Sequence, residues 1–367
     1  MTVFVLSGCM RAIRHVVAAT SAPAVIVADN MAAAPAEVRS ELINAVRHGA
    51  KGVTVIVMHD GKQLFRLDVG EIDQDAQYPV ASASKWMTAA LVMTVVDEGK
   101  LSLDKPVSKY LPEFKGEAGK TTLRQLLAQT SGEGSLKGMV DIRQDPRITL
   151  AASAAEVARR PLEDPPGAVF KYGGPGFQVA GALVEALTGK RWADLFNERI
   201  AKPLGMTCTY WGHLLDRGVP PEEMLNPLLQ GGVVTNAQDY MRFLTMLAQR
   251  GEYNGRRILS TKAIETMETV QTLGKPMAYI PPGVRSDANL QYALGAWCEA
   301  WSMNGRCTLM SSPGFFGTYP WIDRRTGLYG IFFTRSRLTL VSEDFIRAKA
   351  AILTSVNKSL VPLPSEH

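Results

Sequence analysis

The run from Trp86 to Val96 carries nothing more polar than Thr88 and Thr94. Gly99 and Lys100 follow, a pattern that stops helices. A helix that is apolar all round has no face for water, so it must lie inside a domain large enough to surround it. With 367 residues, 46% of them apolar, the chain can build one large core or two modest ones. The run is introduced by Pro79-Val80-Ala81-Ser82-Ala83-Ser84-Lys85. Ser82 and Lys85 are three apart, so on a helix they share a face. A serine hydroxyl is a poor nucleophile until something takes its proton. A lysine in apolar surroundings can do so, because burial disfavours its charged form. The plainer alternative is a capping serine with an ordinary first-turn lysine. Ser102-Leu103-Asp104-Lys105 has the same spacing. It precedes Pro106, after the helix has stopped, and is set aside.

Net charge is +5 and spread along the chain, with no dense Lys/Arg block, so nucleic acid is not an implied partner. The five histidines are scattered and none has a ligand spacing, so no metal or other cofactor is implied. Arg11, Arg14 and His15 precede an apolar, alanine-rich run, and Ala32-Ala33-Ala34 offers small residues. Residues 1–34 therefore read as a signal peptide, which implies a periplasmic or secreted protein. No later stretch is long and apolar enough to span a membrane. In an oxidising compartment Cys298 and Cys307, which flank the turn signal Asn304-Gly305, can be bridged, leaving Cys208 outside the bridge and buried.

The first part of the chain reads as a helix (Pro35 to His48), two strands joined at His59-Asp60-Gly61-Lys62, and then the Ser82 helix. A long helical middle follows, with Thr235-Asn236-Ala237-Gln238 as a capping box before Tyr240 to Arg250. From about Leu290 the texture changes to short strands: Tyr292 to Trp301, Cys307 to Met310, Phe315 to Ile322 and Leu328 to Thr334. Ile346 to Val356 closes the chain as a helix. The fold class is α/β of the α+β kind: an antiparallel sheet flanked by terminal helices, from residues 35–115 and 290–367, with a mostly helical region, 116–289, inserted between its parts. A cleft between the two is the natural place for a ligand.

In this order the chain resembles the serine β-lactamase and penicillin-binding-protein-like superfamily, nearest to its class C β-lactamase and family VIII esterase branch. The residues that carry the resemblance are Ala81-Ser82-Ala83-Ser84-Lys85, Asp97 to Leu101, Leu126 to Gly132, Pro166-Gly167 through Tyr172, Gly231 to Thr235, and Phe316-Gly317-Thr318 through Asp323. The motif set is among the known S-x-x-K enzymes. The resemblance implies that Ser82, Lys85 and Tyr172 are catalytic. It implies an oxyanion hole from the backbone N–H groups of Ser82 and Phe315, and substrate contacts at Gly174, Ser312, Gly314 and Trp321. A neighbouring ammonium would lower the Tyr172 phenol from its usual value near 10.

Two departures matter. The family's Tyr-x-Asn is here Tyr172-Gly173-Gly174, without the asparagine, and its cationic Lys-Thr-Gly or His-x-Gly is Ser312-Pro313-Gly314. Arg325-Thr326-Gly327 is a false match at a turn. The missing groups are those relatives use on a substrate's amide and carboxylate, so the resemblance implies a small-molecule ester as substrate and a carboxylesterase as the activity. The alternatives are an amidase, D-amino-acid peptidase or weak β-lactamase on the same site, and a catalytically retired binding protein. Trp86, Phe315, Phe316, Tyr319 and Trp321 suit an apolar acyl or alcohol group, although core packing explains each one singly.

Overall fold

The computed structural model describes residues 34–133, 145–213, 218–284 and 290–360, with side chains to Ser355. The proposed leader, save Ala34, lies outside the described residues. Seven antiparallel strands form the main sheet: β1 (Gly52–His59), β2 (Lys62–Gly70), β3 (Gln291–Tyr292), β4 (Trp297–Trp301), β5 (Cys307–Ser311), β6 (Tyr319–Asp323) and β7 (Leu328–Thr334). Their order is β3-β4-β5-β6-β7-β1-β2. The sheet thus joins strands from both ends of the chain at β1 and β7, in register from Val53 opposite Thr334 to His59 opposite Leu328.

Alternation along each strand divides the side chains between two layers. Val53, Val55, Val57, Leu67, Trp321 and Phe332 meet the terminal helices α1 (Ala36–Arg47) and the closing helix Leu338–Leu360, against Val38, Leu42, Val341, Phe345 and Ile352. Ile56, Met310, Ile322, Tyr329 and Ile331 face the other way, into the core of the helical region. That core surrounds α2 (Ser84–Asp97), in which every residue but Val96 and Asp97 is buried. Burying a side chain such as Leu91 or Val92 contributes roughly 1.5–3 kcal/mol. The apolar run thus finds the enclosing domain its composition demands.

Several boundaries differ from expectation. The strand expected over Tyr292 to Trp301 is interrupted at Ala293–Ala296, because Gly295 (φ +81°) brings the backbone against α2; a Cβ there would lie 2.6 Å from the Lys85 carbonyl oxygen. Phe315 to Thr318 form a tight turn instead of the start of β6, closed by Gly314 N–H to Thr318 O at 2.7 Å. The closing helix begins at Leu338, whose N–H is taken by the Phe315 carbonyl. Helix Ala237–Ala248 is capped by Asn236, which accepts from Asp239 N–H, and not by Thr235, whose hydroxyl bonds Thr209. Cys298 and Cys307 are bridged, and Cys208 is half-buried.

Candidate active site

Ser82 sits in a single 3-10 turn, Ala81–Ala83, before α2 begins at Ser84. Ala81 has φ +45°, a conformation costly for a residue with a Cβ and one that clusters at functional sites. Lys85 then occupies the first turn of α2, buried, and its Nζ donates to Ser82 Oγ at 3.0 Å. A second N–H of the same amine goes to the Gln230 carbonyl at 2.8 Å. Three more bonds fix this end of α2: Val233 N–H to Ser84 Oγ at 3.0 Å, Thr88 Oγ1 to Leu229 O at 2.5 Å, and Tyr240 Oη to Ala83 O at 2.7 Å. The two buried hydroxyls beside the nucleophile turn therefore attach it to the Leu229–Val233 segment.

Tyr172 enters from the strand Phe170–Lys171 and is buried. Its backbone N–H is held by Tyr279 O at 3.1 Å, and the next N–H, of Gly173, is held by the Gln129 side chain. The phenol is hydrogen-bonded with Ser82, and Lys85 Nζ lies 4.6 Å from the ring centroid. Phe170, Tyr292 and Trp297 enclose the ring. Burial pushes the phenol well above its usual value, and the hydrogen bond with Ser82 opposes this only in part. The ammonium effect expected from sequence is therefore outweighed by desolvation, and the phenol is protonated in neutral water.

The turn at Ser312–Thr318 meets the Ser82 turn directly. Ser312 Oγ donates to Ser82 O at 3.4 Å. Gly314 packs so closely that a Cβ would lie 2.0 Å from Val80 O. The Phe315 N–H has no acceptor among the described residues, while its side chain is 58% exposed and meets Phe316 edge-on. The structure thus brings Ser82, Lys85, Tyr172, Ser312 and the Gly314–Phe315 backbone to one place. Gly174 instead borders a small cavity with Gln129, Glu133 and Asp164.

Trp321 is the correction. It lies fully buried between the sheet and the terminal helices, with Gly330 beneath its ring. Alternation on β6 aims it away from the helical region, so it cannot reach a ligand at Ser82. Arg325–Gly327 forms the turn between β6 and β7, where Arg325 pairs with Asp323. Sequence reasoning missed Gln230, whose contribution is a main-chain carbonyl, and Gln129 and Trp297, which act through folding partners remote in sequence. The only available signal was the Gly231-Gly232 pair next to Gln230.

The model of the family described as Beta-lactamase matches residues 22–353. Penicillin-binding protein 4 of Amycolatopsis lactamdurans is 30% identical over 262 residues, 62% of this chain and 68% of that protein. Esterase EstB of Burkholderia gladioli is 31% identical over 182 residues, 42% of this chain and 45% of EstB, so the match spans less than half of that esterase. A solved crystal structure from Bacteroides dorei DSM 17855 superposes with a TM-score of 0.73 at 32% identity, covering 84% of this chain and 95% of that one.

Proposed function

We propose that this chain, which belongs to the Beta-lactamase family and is a serine hydrolase, acts as a carboxylesterase through an acyl-enzyme on Ser82. The observation that carries the reading is the Lys85 amine 3.0 Å from Ser82 Oγ, with the buried Tyr172 phenol bonded to the same hydroxyl. Ser82 Oγ attacks the ester carbonyl carbon, and its proton passes to the Lys85–Tyr172 pair. The oxyanion is received by the Ser82 and Phe315 N–H groups. As the carbon–oxygen bond to the alcohol breaks, Tyr172 supplies the proton that the alcohol needs. Water then attacks the acyl carbon, the acid leaves, and Ser82 regains its proton. Lys85 Nζ lies 4.6 Å from the Tyr172 ring centroid, and a phenol raised by burial suits the acid half of that exchange.

The preference for esters rests on Ser312 and Gly174. Neither offers the cation or the amide that relatives turn toward a β-lactam or a D-alanyl carboxylate, and an ester's leaving group asks less of an acid. The bridged Cys298 and Cys307 support a place outside the cytoplasm, periplasmic or secreted. Turnover of p-nitrophenyl butyrate against nitrocefin tests the reading: the ester is hydrolysed at least a hundredfold faster. Faster nitrocefin turnover would favour the β-lactamase or amidase alternative, for which the penicillin-binding relative speaks. A fluorophosphonate that labels Ser82 stoichiometrically excludes a retired binding protein.

A further inference from the structure

We propose that Trp297 is a positioning residue for Tyr172, the wall that sets the phenol for proton transfer at Ser82. The inference rests on Tyr172 acting as the acid toward the leaving group. The Trp297 indole lies nearly parallel to the Tyr172 ring, with centroids 5.0 Å apart and planes 14° apart. Among the described residues it is the one stacked partner of that ring; Tyr292 meets it edge-on at 84°, and Phe170 is tilted at 50°. Tyr172 has its main chain fixed on both sides, by Tyr279 O and by Gln129, so what remains free is the rotation of its side chain. Of the three rings that enclose it, the indole is the one that lies along its flat face.

The wall is itself braced. Cys298, the next residue, is bridged to Cys307 on β5. Glu299, the one after, lies at an irregularity in the β4–β5 register, and its carboxylate receives Lys349 Nζ of the closing helix at 2.5 Å and Tyr319 Oη of β6 at 3.0 Å. Both charges are buried. Three consecutive residues of one strand thus stack on Tyr172, bond covalently to the neighbouring strand and ion-pair with a helix. The indole N–H is buried with no acceptor among the described residues, an arrangement a phenylalanine would avoid. What tryptophan offers in return is a broader flat face, and that face lies on Tyr172.

The experiment compares butyrate esters of p-nitrophenol and of phenol, the second being the poorer leaving group and the more dependent on a proton donor. Trp297→Leu keeps an apolar side chain, though a smaller one, and removes the flat face. Its kcat falls about thirtyfold for phenyl butyrate and less than threefold for p-nitrophenyl butyrate, and Trp297→Phe shows the same trend at about fivefold. Equal losses on the two esters, or no loss, overturn the proposal. Should the leucine variant not fold, as judged by circular dichroism, the phenylalanine variant decides by the same ratio. Tyr172→Phe serves as the reference. If it shows no dependence on the leaving group, the reading of Tyr172 as acid falls and this one with it. If Tyr172→Phe shows the dependence and the Trp297 variants do not, only the inference about Trp297 falls.

Discussion

Lys85 is tied to Gln230, 145 positions further along, by a bond from Nζ to the main-chain carbonyl. This partner holds the amine in either charge state. With three hydrogens Nζ donates to both Gln230 O and Ser82 Oγ; with two, one still binds Gln230, and the lone pair is left facing the serine proton. The anchor therefore does not have to break when the base works.

Ser82→Ala should reduce ester hydrolysis about a thousandfold or more, while the melting temperature moves by no more than about 2 °C, since the hydroxyl is only half-buried. Lys85→Met should be equally slow and also less stable, because the Gln230 carbonyl loses its donor, at about 1–3 kcal/mol. Initial rates and thermal melts of the two variants check this; equal stability would contradict the anchoring role.

Glu133 gives a pH dependence with a definite sign. Burial pushes its carboxyl up to about 7, against a hydrogen bond from Ser131. In the unfolded chain it titrates near 4.3. A raised folded value favours the fold at and below about pH 4, and that advantage is lost as pH rises through 7. Glu133→Gln should therefore gain on the parent protein between pH 5 and pH 8, by roughly 3 kcal/mol or less. Urea midpoints at the two pH values report it, and a pH-independent difference would refute it.

Lys349 and Glu299 form a buried pair. Burial pushes the carboxyl up, yet the Lys349 charge and three hydrogen bonds leave it below its ordinary value. The lysine is raised despite burial, chiefly by the Glu299 charge. Lys349→Met alone should cost about 3–5 kcal/mol, because it strands a buried carboxylate. Combining it with Glu299→Leu should recover most of that. Denaturant unfolding of the single and double variants measures the coupling.

Gly314→Ala should slow acylation by about 10²–10³ by forcing the Ser312–Thr318 turn and the Ser82 turn apart locally. Its Cβ would press on Val80 O, two residues before Ser82, and prise the Phe315 N–H away from the serine turn. Stopped-flow acylation by p-nitrophenyl butyrate reads the effect, and an unchanged rate would remove Phe315 N–H from the oxyanion site.

The sandwich of sheet and terminal helices was legible because Val53 to Met58 is largely β-branched and returns through a hairpin turn at His59–Lys62, and because α2 is too apolar to sit anywhere but inside. The family was legible from ordered motifs, beginning with Ser82 and Lys85. Alternation says that a strand has two faces without saying which one holds the ligand, and Trp321 went to the wrong one for that reason. Trp297 reads in sequence as one more aromatic strand residue; its stack on Tyr172 comes from strands and loops more than a hundred residues apart. A main-chain acceptor such as Gln230 O leaves no mark on residue identity at all.

The pairing of β1 with β7 has a consequence for how the molecule comes into being. Val53 leaves the ribosome long before its partner Thr334 exists, so the central seam cannot close during most of synthesis. Contacts this distant in sequence make folding slow. A product terminated before residue 312 would also lack the Ser312–Phe315 arm that meets the Ser82 turn, so the site is completed only near the end of synthesis.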